Sequence, residues 1–103
     1  KGLEKSASTN NKYKQKAVEY NKSGVELRQI GELDLALEEF NKAIEIDPMM
    51  AQAYINRAMV YYLNEEYEKS WIDIQMARNL GIEPNQKLVN ALKLRLNIED
   101  SNI

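Results

Sequence analysis

The chain has 103 residues, of which 44% are hydrophobic and 29% are charged, and its net charge is −2. This balance is typical of one small folded domain and excludes an intrinsically disordered chain. The sequence contains neither cysteine nor histidine, which excludes disulfide bonds and the usual zinc sites. Because the net charge is negative and no long apolar stretch occurs, we expect no nucleic-acid partner and no membrane-spanning segment.

The N-terminal part of the chain is predicted to become helical at residue 10 or 11. From there Tyr13, Ala17 and Tyr20 recur at helical spacing, and Gly31 provides a C-terminal stop. Residues 1–10 are polar and lack this periodicity, so we predict a flexible segment there. Because the chain starts with lysine, we also expect that it was cut from a longer protein or that a leader was removed.

The most informative feature is a repeat at an offset of 34 residues, at which large residues fall on large ones and small residues on small ones. This pattern indicates two copies of one packing unit, and each copy is predicted to form two helices. The pairs that carry the repeat are Tyr20 and Tyr54, Gly24 and Ala58, Leu27 and Tyr61, Leu33 and Tyr67, Ala36 and Ser70, Leu37 and Trp71, Phe40 and Ile74, and Ala43 and Ala77.

The next three helices are bounded by stop signals. The second begins at Leu33 and is ended by Asp47 and Pro48, because proline cannot continue a helix. The third is predicted to end at Asn64, since asparagine tolerates the left-handed conformation. The fourth ends at Gly81. The first hairpin therefore spans residues 11–50 and the second spans residues 51–84.

A final helix is predicted over residues 85–98, where it would cover the open end of the second hairpin. Its apolar face is formed by Leu88, Ala91, Leu92 and Leu96, with Lys87, Lys93 and Arg95 largely opposite. Leu94 and Ile98 make the apolar stripe wider than packing on the second hairpin requires. Contact of this helix with another chain is therefore the alternative to a purely covering role. Residues 99–103 read as a frayed tail.

Small residues are predicted at the two helix crossings. Gly24 would face Ala36 in the first hairpin, and Ala58 would face Ser70 in the second. Such pairs let two helices approach closely, so adding a large side chain at Gly24 is expected to overpack the crossing.

With these residues the chain resembles the tetratricopeptide repeat family. Residues 17–50 match the family pattern well, and residues 51–84 match it with three departures. Glu65 stands where glycine is usual, Ser70 replaces alanine, and Pro84 comes two residues late, which predicts an irregular turn before the last helix. The resemblance implies an all-α fold of five helices, a right-handed stack of antiparallel hairpins of the α-solenoid type, and a role in protein–protein interaction.

In such a stack the first helix of each pair lines the concave wall, which is where we predict a groove for a peptide or a helix of a partner protein. As an alternative to binding a partner, the polar residues of this wall are solvent-exposed without a role, and the apolar ones are covered by the last helix or by another molecule. Once the packing positions are removed, the residues left on this wall are Asn21, Lys22, Val25, Arg28, Gln29, Gln52, Ile55, Asn56, Met59, Tyr62 and Leu63.

One part of this wall resembles the carboxylate clamp of chaperone-binding tetratricopeptide domains. Asn56 matches an asparagine that holds the terminal carboxylate of a peptide in those domains. The rest departs from the pattern, because Val25 replaces a second asparagine and Asn21 replaces a lysine. We therefore do not expect a complete clamp.

Catalysis is not predicted. The serines have no histidine to activate them, and adjacent glutamates on a helix point about 100° apart and do not share a site. Phosphate-binding and calcium-binding loops are missing from the sequence, so no metal or cofactor is expected. The alternative to a peptide-binding module is a structural unit that self-assembles, as a homodimer or as a fragment of a longer superhelix. The compartment stays open, with a soluble cytoplasmic protein favoured and export expected if a leader preceded Lys1.

Overall fold

Five α-helices and no strand make up the described part of the chain, which covers the backbone of residues 2–99 and the side chains of residues 12–99 in a computed structural model. Helices α1 and α2 pack as one hairpin and α3 and α4 as a second, while α2 also packs on α3 and α4 on α5. The predicted all-α stack of hairpins is confirmed. The helices are α1 (Gly2–Gln29), α2 (Leu33–Ile46), α3 (Ala51–Leu63), α4 (Tyr67–Asn79) and α5 (Gln86–Leu96).

Helix α1 begins at Gly2, earlier than the start predicted at residue 10 or 11. The first ten residues include good helix formers and no proline, so nothing in the sequence stops the helix from extending toward the N-terminus. The flexibility of residues 1–10 stays a prediction, because Lys1 and the side chains of residues 2–11 lie outside the described residues. The predicted tail lies outside them as well, apart from Glu99.

The crossing of α1 and α2 is closed by an aromatic ring. A Cβ atom added to Gly24 would lie 2.5 Å from Cε1 of Phe40, so the ring occupies the space that a side chain at position 24 would need. The ring of Phe40 therefore fills the space next to Gly24, while the predicted contact between Gly24 and Ala36 stays a prediction. Phe40, Ala36 and Val60 are fully buried together, which joins α2 to α3.

The crossing of α3 and α4 is closed by a hydrogen bond. The hydroxyl of Ser70 donates to the carbonyl oxygen of Ala58 at 2.7 Å, and both residues are fully buried. The predicted contact between these two small residues is confirmed. Since serine replaces the family's alanine here, the bond also satisfies a hydroxyl group that would otherwise be buried without a partner.

The turn within each hairpin has the same geometry, and this corrects the predicted stop at Asn64. Gly31 has φ of +83° in the first hairpin, and Glu65 has φ of +63° at the equivalent position in the second, whereas φ of Asn64 is −85°. In both turns the amide of the next residue donates back to the helix, from Glu32 to Leu27 and from Glu66 to Tyr61. The repeat offset fixes where the chain reverses, so glutamate adopts the left-handed conformation although asparagine precedes it.

Replacing Glu65 by glycine is expected to raise the free energy of unfolding by about 1 kcal/mol. A side chain in the left-handed region costs about 1–2 kcal/mol, and the added flexibility of glycine in the unfolded chain offsets part of the gain. The thermal midpoint of Glu65→Gly checks this. Asn64→Gly serves as the control and should not stabilise, because φ at that position is already negative; an unchanged or lower midpoint for Glu65→Gly would contradict the assignment.

An ion pair that was not predicted from the sequence joins the two helices of the second hairpin. The guanidinium of Arg57 on α3 donates to both carboxylate oxygens of Asp73 on α4 at 2.8 Å, and to Oδ1 of Asn41 on α2 at 2.9 Å. The side chain of Asp73 is only 2% exposed and that of Arg57 is 19% exposed. The hydrogen bonds to Asp73 raise the pKa of Arg57 above its usual value, even though burial opposes this. Three helices are thereby tied together at one side chain.

Helix α5 is attached to the second hairpin through buried apolar residues. Leu88, Val89 and Leu92 pack with Ala58 and Ile74, so α5 covers one side of the second hairpin. Residues 82–85, which include the late Pro84, form no regular structure, and this confirms the predicted irregular turn. The side chain of Asn85 then caps α5 by accepting a hydrogen bond from the amide of Lys87 at 2.7 Å.

Candidate functional site

A groove of about 300 Å³ lies between α3 and α5. Its floor and one wall come from α3, where residues at helical spacing face α5, and its other wall comes from α5. The small side chain of Ala91 keeps the groove open where a larger residue would fill it. The residues that line the groove are Met59, Tyr62, Leu63, Asn85, Lys87, Leu88 and Ala91.

The α3 wall of the groove is apolar and partly exposed. Met59 and Tyr62 pack against the core formed by α4 and α5 with part of their surface, and Leu63 is half exposed. Methionine adapts to the shape of its contacts, and tyrosine combines an apolar ring with a polar end. The groove therefore offers an adaptable apolar surface of the kind that accepts side chains of a peptide.

Tyr62, which lines the groove, also contacts a second aromatic ring, and that ring contacts a cation. The rings of Tyr62 and Tyr67 are 5.4 Å apart between centroids, and the guanidinium of Arg95 lies 5.6 Å from the Tyr67 centroid. A hydrogen bond with Tyr62 raises the pKa of Arg95 above its usual value, and the two phenol groups and Glu65 act in the same direction. Arg95 therefore stays charged beside the two tyrosines.

A chain of amides connects α1 to α3 beside the groove. Nδ2 of Asn56 donates to Oδ1 of Asn21 at 2.9 Å, and Nε2 of Gln52 donates to Oδ1 of Asn56 at 3.3 Å. Both the oxygen and the nitrogen of the Asn56 amide are therefore engaged within the protein. This arrangement gives Asn56 a role in tying the two hairpins together.

The remaining residues of the predicted wall fall into two groups. Val25 packs on the cluster of Ala36, Phe40 and Val60, and Ile55 packs on a cluster formed by α3 and α4. Lys22 is exposed, and Arg28 is partly exposed. Of the residues predicted from the sequence, the structure brings Met59 and Tyr62 into the groove and places Asn21, Gln52 and Asn56 in the amide chain. Which of them bind a partner stays a prediction.

The contribution of α5 to the groove was not anticipated. Lys87 lines the groove together with Ala91, and Arg95 contacts the ring of Tyr67, so neither lies opposite the apolar face as expected. Lys87 precedes Ala91 by four residues, and residues four apart share a face of a helix. That spacing is the signal in the sequence that would have placed Lys87 in the groove.

A second groove, of about 370 Å³, lies on the outer face of α5 and is lined by Asn90, Lys93, Leu94, Asn97 and Ile98. Leu94 is 83% exposed there. Among the described residues we find no cluster of acidic side chains suited to a metal ion, and none of their helices has the length and apolar character needed to cross a membrane.

Comparison with known proteins agrees with this architecture. A family model described as TPR repeat matches residues 24–65. The crystal structure of YrrB, described as a TPR protein with an unusual peptide-binding site, superimposes with a TM-score of 0.75 at 28% identity, over 90% of this chain and 48% of that chain.

Three curated proteins show the same similarity in sequence. An uncharacterised protein of Methanocaldococcus jannaschii is 42% identical over 55 residues, which are 53% of this chain and 64% of that protein. Tetratricopeptide repeat protein 36 of Caenorhabditis elegans is 37% identical, over 63% of this chain and 36% of its own length. Its homologue in Nematostella vectensis is 36% identical, over 74% of this chain and 42% of its own length. The chain thus spans between about a third and two thirds of these relatives.

Proposed function

We propose that this chain binds a peptide or a helix of a partner protein in the groove between α3 and α5. The chain belongs to the tetratricopeptide repeat family, whose members are in general scaffolds for protein–protein interaction. The proposal is for a binding module without catalytic activity. It extends the peptide binding that is stated for YrrB to a defined surface of this chain.

The observation that supports this proposal most is the composition of the groove. Met59, Tyr62, Leu63, Leu88 and Ala91 form an apolar surface that is open to solvent and is bordered by Asn85 and Lys87. Open grooves with apolar walls and a few polar groups at the rim accept apolar side chains and orient them through polar contacts. Both walls are held in place by buried residues, so the groove does not have to form when a partner binds.

Replacing Met59 by glutamate is expected to abolish peptide binding. The substitution places a carboxylate on the apolar wall, and a bound apolar side chain would have to desolvate it. A peptide is first selected on the unchanged protein from a displayed library of random dodecapeptides. Its fluorescently labelled form is then used to measure the affinity of each variant by fluorescence anisotropy. We expect a loss in affinity of about a hundredfold or more, with the helical circular dichroism unchanged.

Met49→Glu is the matched control for this experiment, because Met49 is 72% exposed in the turn between the two hairpins and does not line the groove. It should bind the peptide as the unchanged protein does. Equal binding by Met59→Glu and Met49→Glu, with both proteins folded, would assign binding to a different surface.

Self-association through α5 is a second candidate, and the exposure of Leu94 favours it. The second groove contains Leu94 and Ile98, and an apolar residue exposed to this degree is a common feature of contact surfaces. Light scattering over a concentration series tests this candidate. A dimer that Leu94→Glu converts to a monomer would support it, and a monomer at the highest concentration would contradict it.

A further inference from the structure

The charges of the chain are separated between the helices that form the groove and those behind them. Helices α3 and α5 contain no acidic residue, and their charged residues are Arg57, Lys87, Lys93 and Arg95. Helix α2, on the opposite side of the first hairpin, carries Asp34, Glu38, Glu39 and Glu45 against Lys42 alone. Arg57 is paired with Asp73, and Lys93 lines the second groove on the outer face of α5, so among the described residues the groove between α3 and α5 is lined by one cation, Lys87, and by no acidic residue.

Helix α1 carries a second cation, Arg28, on the face that includes Asn21. Asn21, Val25 and Arg28 follow one another at spacings of four and three residues and so share a face, while Glu19 and Glu26 point away from it. Asn21 is hydrogen-bonded to Asn56 on α3. Arg28 follows Asn21 by seven residues, as Leu63 follows Asn56, so from helix geometry we expect Arg28 on the side of α1 that faces α3, about two turns beyond that bond.

Two cations near the groove have no acidic partner within the described residues. Neither Lys87 nor Arg28 forms an ion pair there, in contrast to Arg57, whose pair with Asp73 is buried. The Nε atom of Arg28 is buried and has no hydrogen-bond acceptor among the described residues. The residue as a whole is partly exposed, and a carboxylate is the strongest acceptor that its guanidinium can bind. Glu65 lies close enough to Arg95 to raise the pKa of that guanidinium.

We infer that the partner segment is acidic: it places one large apolar side chain in the groove between α3 and α5 and flanking carboxylates near Lys87 and Arg28. This inference rests on the proposed function and names the chemistry of its ligand. The apolar walls take the anchoring side chain, and the unpaired cations on both sides of the groove take the acidic groups next to it. The contact differs from a carboxylate clamp because it does not require the end of a peptide chain, and Asn56 is already engaged.

The test is a selection of random dodecapeptides displayed on phage against the unchanged protein, with Met59→Glu as the background. We expect the selected peptides to be enriched in aspartate and glutamate next to a leucine or an aromatic residue. Their affinity should fall by about tenfold for Lys87→Glu and for Arg28→Glu, and should fall as salt is raised. Lys69→Glu, on the outer helix α4, is the matched control and should bind normally.

The outcomes separate this inference from the proposed function. Selected peptides that depend on Met59 but contain few acidic residues, and bind Lys87→Glu unchanged, would overturn the acidic ligand and leave the groove in place. A selection no richer than that on Met59→Glu would overturn both. A dimer in solution that Met59→Glu dissociates would identify a second copy of the chain as the occupant and would overturn the inference of a separate partner. Such a contact is chemically possible because α2 presents an exposed Leu35 beside Asp34 and Glu38.

Discussion

Replacing Asp73 by alanine is expected to lower the free energy of unfolding by about 3 kcal/mol, because breaking a buried ion pair leaves an uncompensated charge. The carboxylate of Asp73 accepts two hydrogen bonds from Arg57 at 2.8 Å and is almost entirely buried. Arg57 would keep one hydrogen bond, to Asn41, and its partial exposure to water places the loss at the lower end for buried pairs. Denaturant unfolding measures the loss as a shift in the midpoint.

The first hairpin supplies the control for this experiment. At the offset of 34 residues Asp73 corresponds to Glu39, which pairs with an exposed Lys42 at 3.3 Å. Because pairs on the surface contribute little, Glu39→Ala is expected to cost less than about 1 kcal/mol. A loss for Asp73→Ala no greater than that for Glu39→Ala would show that the ion pair does not hold α3 to α4.

Replacing Gly24 by alanine is expected to destabilise the protein by about 2 kcal/mol, although alanine is the better helix former. The added Cβ would lie 2.5 Å from Cε1 of Phe40, and three atoms of that ring lie within 2.8 Å of it. The ring is fully buried between Ala36 and Val60, so it cannot move away without displacing the core. Thermal unfolding followed by circular dichroism measures the effect.

The second hairpin shows how this clash can be relieved. Ala58 and Ile74 stand at the positions equivalent to Gly24 and Phe40, and both are fully buried. The double variant Gly24→Ala, Phe40→Ile copies that combination. We expect its loss in free energy of unfolding to be smaller than the sum of the losses of the two single variants. Additive losses would mean that the two residues do not share the space that the structure assigns to them.

The hairpins could be predicted from the sequence because their signals are local. Apolar residues at helical spacing define each stripe, and Gly31, Pro48 and Gly81 mark ends that the structure places within one or two residues. The start of α1 was not predictable in this way, because polar residues without a helix breaker are compatible with a helix and with a loop. The left-handed residue of the second turn was misplaced by one position, because local preference favours Asn64 and the repeat geometry selects Glu65.

The site could be predicted only in part, because it depends on how helices are rotated against one another. Met59 and Tyr62 were identified since they share a face of α3 that packing within the hairpin does not use. The contribution of Lys87 depends on the angle at which α5 docks, which periodicity alone does not fix. The pair of Arg57 and Asp73, and the bond between Asn21 and Asn56, each join residues on different helices and left no local pattern.

The most direct test of peptide binding in the groove uses the four methionines as reporters. Met59 lines the groove, whereas Met49, Met50 and Met76 do not. The protein is labelled with ¹³C at the methionine methyl groups, and a selected acidic peptide is added stepwise. We expect the methyl resonance of Met59 to shift until binding is saturated. The resonances of Met49 and Met76 should stay in place. A peptide that shifts Met49 or Met76 while Met59 is unchanged would contradict binding between α3 and α5.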